Sequence, residues 1–259
     1  MTLEAGALLR RFRDLAAVDT MCHLGQWPYR LTARADVDDL CRYARRHGLR
    51  EIWVSHIASL FGFDTRAGNE ATLRSCGSGD LFRMFAVIDP SEHGWRDEFA
   101  WAVEQGFSGV RLAPGLHGYP PPDAAAVVEA CESADMTVQV IARMDDARVR
   151  HPLSPARDLK PRDLAELVRT PPAIPVLISG LNQADATELS RHLGDDVPAG
   201  VRWDLWHLNG PTGVIDGYGA ETGRWVFGSG FPIQAPEPTM LQLTASRLSA
   251  EQLVALTTA

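Results

Sequence analysis

Residues 82–112 read FRMFAVIDPSEHGWRDEFAWAVEQGFSGVRL. The run 82–88 is short, apolar and rich in strand-forming residues. The run 95–105 repeats apolar side chains at helical spacing and stops at Gly106, and 108–112 is again short and apolar. A strand, a helix and a second strand within about thirty residues form one β-α-β unit, whose strands lie parallel.

The same alternation continues in both directions. Strand-like segments fall at 16–20, 51–56, 82–88, 108–112, 137–142, 174–179, 201–205 and 224–227, and helical patterns at 37–47, 95–105, 123–134, 161–169 and 184–193. Asp36 is placed to cap the first of these helices, and Gly48 follows its end. Further helices are expected at 3–13, with Leu8, Leu9 and Phe12 on one face, and at 249–256. Eight repeats of β then α in one chain predict a (β/α)8 TIM barrel spanning 1–259 as a single domain, with a doubly wound sheet as the rival. The Pro- and Gly-rich stretch 113–122 reads as a loop at the barrel top.

Composition narrows the function. The chain has 259 residues, 45% of them hydrophobic, which is enough for a large core without disulfides or a structural metal. Its 25 Lys and Arg against 33 Asp and Glu leave a net charge of −8. That balance excludes the basic footprint of a nucleic-acid or anionic-membrane binder, so a small-molecule substrate is the expected partner. No apolar run reaches the roughly 20 residues of a membrane span. Charges at 10–14 interrupt any secretory core, so a cytoplasmic protein is expected. Cys22, Cys41, Cys76 and Cys131 lie far apart and read as reduced, buried thiols. Lys160 is the only lysine, so Schiff-base or carbamylated-lysine chemistry could come from nowhere else.

In a barrel, function sits on loops at the carboxyl ends of the strands. Those ends hold His23, His56, Asp89, Arg111, Arg143, Gly180 or Asn182, Asp204 and Gly230. Four segments there resemble the amidohydrolase superfamily, in its amidohydrolase-related branch. Residues 18–25, VDTMCHLG, resemble the strand-one D-x-H-x-H motif, and 109–114, GVRLAP, the strand-four G-V-K-L-x-P. Residues 224–232, RWVFGSGFP, resemble the strand-eight R-x-x-F-G-S-D-x-P, and 143–152 the strand-five loop of some members. The resemblance implies a hydrolase or decarboxylating lyase, a homodimer, and a divalent metal held by histidines on strands one, five and six and an aspartate on strand eight.

This chain departs from that ligand set. Met21 stands at the first histidine of the strand-one pair while His23 keeps the second; Ile141 and Gly230 stand at the strand-five histidine and strand-eight aspartate. A catalytic zinc needs about three protein ligands, so no metal and no other cofactor is expected. The expected activity is metal-independent acid-base chemistry, hydrolysis or decarboxylation, on a small anionic substrate. A non-catalytic binding protein is the alternative, and a rearranged metal site of His23, His56 and Asp204 a third reading.

His23 is the candidate proton carrier, or a hydrogen-bonded relic. Arg111 and Arg143 are expected to converge as a clamp for an anion, with ion pairs to Asp89, Asp145 or Asp204 as the rival reading. Asp204 with His207 is a candidate acid-base pair. His56, Trp27, Trp206 and Phe231 are expected to line the substrate pocket, Phe61 with them. His47 and His192 read as surface residues, His117 as part of a lid loop, and His151 as tied to Asp146 or Arg148. Cys22, adjacent to His23 on a strand, is expected to point out of the barrel.

Overall fold

The computed structural model describes residues 4–61, 64–77, 79–169, 173–194, 197–206, 215–216 and 223–259. Eight parallel strands form one sheet in sequence order: β1 Val18–Leu24, β2 Glu51–His56, β3 Phe82–Val87, β4 Gly109–Leu112, β5 Thr137–Ile141, β6 Val176–Ser179, β7 Val201–Asp204 and β8 Trp225–Val226. The segment that begins with β8 returns to β1. Thr20 N donates to Phe227 O at 3.1 Å, Gly230 N to Met21 O at 2.8 Å, and His23 N to Phe231 O at 2.9 Å. The result is a TIM-type barrel, as the alternation predicts, and not the doubly wound sheet.

Helices surround it: α1 Ala5–Arg13, α2 Val37–His47, α3 Ala58–Phe61, α4 Arg66–Cys76, α5 Trp95–Glu104, α6 Pro114–His117, α7 Ala125–Ser133, α8 Pro161–Val168, α9 Gln183–Leu193, α10 Glu237–Ala245 and α11 Ala250–Thr257. The Asp36 side chain accepts from Asp39 N at 2.8 Å, and Gly48 ends α2 at φ +69°, a left-handed turn that favours glycine. No described helix is long and apolar enough to cross a membrane.

Three sequence expectations shift. The first strand runs 18–24 rather than 16–20, because Ala16 takes a positive φ of +47° in the turn from α1 and extended backbone starts only after it. The stretch 113–122 is not all loop. Proline suits a first helical turn, so Pro114 opens α6 and Pro121 opens a short 3-10 turn ahead of α7. Helices α3, α4 and α10 were not foreseen.

Alternation along the strands divides the side chains. Outward ones such as Val54, Val110, Val138, Ile178 and Phe227 pack with helix residues including Leu40, Leu164 and Leu189 in the main core. Inward ones stack in layers. The floor is Val18, Trp53, Phe85, Leu177 and Val226, with Trp53 and Phe85 stacked at 4.9 Å. Gly109 faces this floor because the Phe85 ring lies 2.3 Å from where its Cβ would be.

Candidate functional site

Above the apolar floor comes a polar layer, built where the inward positions of β2, β4, β5, β6 and β7 carry Ser55, Arg111, Gln139, Ser179 and Asp204. Arg111 on β4 is fully buried at its centre. Its Nε donates to Gln139 Oε1 at 2.6 Å. Nη1 donates to Cys22 O at 2.6 Å and Ser55 Oγ at 2.9 Å, and Nη2 to Thr20 O at 3.1 Å and Trp53 O at 2.9 Å. A guanidinium has five N–H donors, and all five are used. Burial lowers its pKa to about 10, so it stays charged at neutral pH. Gln139 Nε2 in turn donates to Thr20 O at 2.9 Å and Ser179 Oγ at 2.7 Å.

The expectation that Arg111 binds substrate is therefore corrected. It has no donor left for a ligand and acts on the site only through its charge. The strand carbonyls it satisfies belong to β1 and β2, so it ties these strands to β4 and, through Gln139, to β5.

His23 lies beside this layer, fully buried, with Nδ1 3.3 Å from Ser55 Oγ. The Ser55 hydroxyl already accepts from Arg111, and among the described residues Nδ1 is the acceptor within reach of its own proton. Donation to Nδ1 places the imidazole proton on Nε2. Burial, followed by the charges of Arg111 and His56, holds the pKa well below the ordinary imidazole range, so the ring is neutral. Nε2 finds no partner among the described residues.

Asp204 on β7 is also fully buried. Oδ1 accepts from Gly180 N at 3.1 Å and Oδ2 has no partner among the described residues. Burial pushes its pKa up to about 7, against the opposing pull of the Ser179 hydroxyl, the Gly180 N–H and the Arg111 charge. Gly228 makes room for it, since a Cβ there would lie 3.1 Å from both Asp204 Cβ and Met21 Cβ.

The layer above is apolar. Met21, Ile141 and Trp206 pack with Trp27, Ile57, Val87, Ala113, Met144 and Ile233, and Phe61 joins at the edge. A divalent metal does not fit this set. Two of the positions the motif reserves for ligands supply carbon and sulfur, and a Cβ on Gly230 would lie 3.4 Å from the Trp206 ring at a φ of +69°. Among the described residues no three His, Cys, Asp or Glu side chains converge as a ligand group, so His23, His56 and Asp204 do not form one.

The other candidates divide. Trp27 and Trp206 are buried in the layer above the polar one, and Trp27 Nε1 has no partner among the described residues. Arg143 does not converge with Arg111. Its Nε donates to Asp158 at 2.9 Å, and its Nη1 to Asp185 at 2.9 Å and Gly180 O at 3.0 Å, which ties the strand-five loop to α9. The ion-pair partners differ from those expected, because Asp145 is taken by Arg150 at 2.6 Å. His56 shares the outward parity of Ile52 and Val54, and its Nδ1 accepts from Ala58 N at 3.0 Å, so it is not a wall of the barrel interior. Phe231 also faces outward, stacked on Tyr43 at 4.5 Å and 7°. His207 lies outside the described residues.

His47 is buried at 4% exposure against Glu237, not a surface residue, whereas His192 is exposed beside Glu188. His151 stacks on Tyr29, and its Nδ1 accepts from Leu153 N at 3.1 Å. His117 packs between Ser59 O, at 3.1 Å, and Asp89, at 3.5 Å. Cys22 points outward to Asp19, as strand alternation predicts. That carboxylate also accepts from Tyr43, Met21 N and Ser229 N, which knots β1 to α2 and to the segment after β8.

Sequence reasoning missed Ser55 and Gln139. The available signal was a polar residue at every second position of otherwise apolar strands, as in VQV at 138–140.

No protein-family model matches the chain, and no curated protein matches it. Solved structures do. A decarboxylase of dihydroxybenzoic acid from a Polaromonas species, with bound manganese and the inhibitor 2-nitroresorcinol, superposes at TM-score 0.67 with 14% identity, covering 93% of this chain and 94% of that one. A TIM-barrel protein from Bordetella bronchiseptica gives 0.65 at 14% identity, covering 97% and 87%. A probable 2-pyrone-4,6-dicarboxylic acid hydrolase from Acinetobacter baumannii with citric acid bound gives 0.60 at 15% identity, covering 89% and 90%. The chain shares the barrel fold of these proteins.

Proposed function

We propose that this barrel binds a small carboxylated molecule and acts on it by proton transfer without a bound metal. The observation that carries the reading is a pair of orphaned atoms in the buried polar layer: His23 Nε2 and Asp204 Oδ2 each lack a partner among the described residues. Buried polar groups are nearly always satisfied, and each orphan is an invitation to a ligand or water.

The two groups have different work. The resting tautomer of His23 offers Nε2–H as a neutral donor that polarises a carbonyl or carboxylate, rather than a base. Asp204, with its pKa near 7, exchanges the proton at working pH. In a decarboxylation the substrate carboxylate leaves as CO2, the carbon that carried it takes the Asp204 proton with the electron pair of the broken C–C bond, and the Asp204 carboxylate is re-protonated from solvent. Arg111 stabilises developing negative charge through its field alone. Dihydroxybenzoic and pyrone dicarboxylic acids, named for two of the structural neighbours, set the substrate class that supports this reading.

A panel of aromatic and pyrone carboxylic acids, followed by mass spectrometry for loss of CO2 or gain of water, tests it. Turnover by the wild type that drops at least a hundredfold in Asp204→Asn and His23→Gln is the expected result. Undiminished turnover in both variants removes the site. A second reading, a barrel that binds without catalysis, is favoured by the apolar packing of Met21, Ile141 and Trp206 above the polar layer. Binding without turnover across the panel would select it.

A further inference from the structure

Outside the barrel, a cleft of about 770 Å³ opens between α2, the loop 30–34 and the segment 231–237. The Phe231–Ile233 wall separates it from the site above, since Ile233 packs inward with Met21 and Trp206 while Phe231 packs outward on Tyr43. The volume is that of a small-molecule site.

Its charge runs against that of the chain. Four guanidinium groups, from Arg30, Arg34, Arg42 and Arg46, line the cleft with two carboxylates, Asp39 and Glu237, in a protein of net charge −8. Asp39 pairs with Arg42, and Glu237 stands 3.6 Å from both Arg46 and His47. Arg30 gives one N–H to Ile233 O, and Arg34 has no partner among the described residues. The floor is the Tyr43–Phe231 stack, and the amide nitrogen of Gln234, in the lining, is buried without an acceptor among the described residues. Leu31 stands at the rim, 98% exposed.

Guanidinium groups around one concavity focus positive potential, and their planar forks match carboxylate and phosphate oxygens. An apolar floor beneath them suits a ligand with a flat hydrocarbon body. We infer that this cleft binds a small organic dianion, carrying two carboxylate groups or a phosphate on an apolar or aromatic frame. The inference stands on residues separate from His23 and Asp204, so it survives or fails independently of the proposed chemistry.

Calorimetric titration of the full chain at neutral pH with phthalate, succinate and phenyl phosphate tests it, with benzoate as the monoanion. Saturable binding of at least one dianion is expected, tighter than benzoate and at least tenfold weaker in Arg34→Ala/Arg42→Ala. Phthalate or succinate binding ahead of phenyl phosphate assigns carboxylates, and the reverse order assigns phosphates. The affinity is expected to survive unchanged in His23→Gln and in Arg45→Ala, whose side chain is outside the lining. Equal loss in Arg45→Ala would reduce the effect to diffuse surface charge and overturn the inference, as would undiminished binding in the double variant or no dianion binding at millimolar concentration. An acidic peptide binding more tightly than every small dianion would also overturn it. Unchanged thermal melting of the double variant is the check that it is folded.

Discussion

Arg111 Nη1 and His23 Nδ1 share one hydroxyl: Ser55 Oγ lies 2.9 Å from the first and 3.3 Å from the second. A permanent cation thereby sets the orientation of a neutral imidazole through a serine proton. Replacing Ser55 by alanine removes the donor to Nδ1, and nitrogen-15 spectra of the imidazole should then show a rise in the Nδ1–H form. An unchanged Nε2–H population would mean that something other than Ser55 sets the tautomer.

Arg111 is expected to be among the costliest residues to replace. Arg111→Met takes the guanidinium donors from the carbonyls of Cys22 and Trp53 and leaves Thr20 O with Gln139 Nε2. Each buried acceptor left unpaired costs about 1–3 kcal/mol. Arg111→Lys is expected to recover only part of this, because an ammonium has three donors where five are used. Urea unfolding measures both, and a loss below about 1 kcal/mol for methionine would show that the network contributes little.

The two buried titratable groups pull stability in opposite directions with pH. His23 is held neutral, its pKa depressed below roughly 6.5, so its contribution is present above that pH and lost as pH falls. The Asp204 pKa is raised to about 7 from roughly 3.9. Its contribution is complete below the lower value and lost as pH rises through the upper one. Measured against the wild type, Asp204→Asn should gain stability as pH climbs from about 4 to 7, and His23→Gln should gain as pH drops below about 6.5. Stability curves parallel to wild type in either variant would contradict the assigned protonation states.

Metal removal should leave the protein unmoved. Dialysis against a chelator is expected to change neither the melting temperature nor turnover, and the triple variant Met21→His/Ile141→His/Gly230→Asp is not expected to take up manganese tightly. A side chain added at Gly230 sits on backbone at φ +69°, which L residues rarely adopt, so Gly230→Asp is expected to present its carboxylate poorly. Stoichiometric manganese in the triple variant would show the apolar layer to be more yielding than its packing suggests.

Much of the barrel was legible because strand and helix patterns are local. Period-two and period-3.6 apolar spacing marked all eight strands and most helices, and Asp36 and Gly48 marked the ends of α2. Elements that depend on neighbours were harder. Helix α4 buries Asn69, which accepts from Val87 N and donates to Val87 O and Glu98, and that polar face hides its helical apolar pattern.

The departures at Met21, Ile141 and Gly230 could be read from the motif positions alone, because each is a statement of residue type. What the arginine and the histidine do could not. Hydrogen-bond satisfaction depends on carbonyls and hydroxyls brought from β1, β2 and β5 to one point, which no spacing along the chain encodes. The linear sequence thus determined which side chains reach the barrel and which ligand types it lacks. Only tertiary packing decided that Arg111 is spent on the barrel's own carbonyls, while His23 and Asp204 each keep one polar atom without a partner.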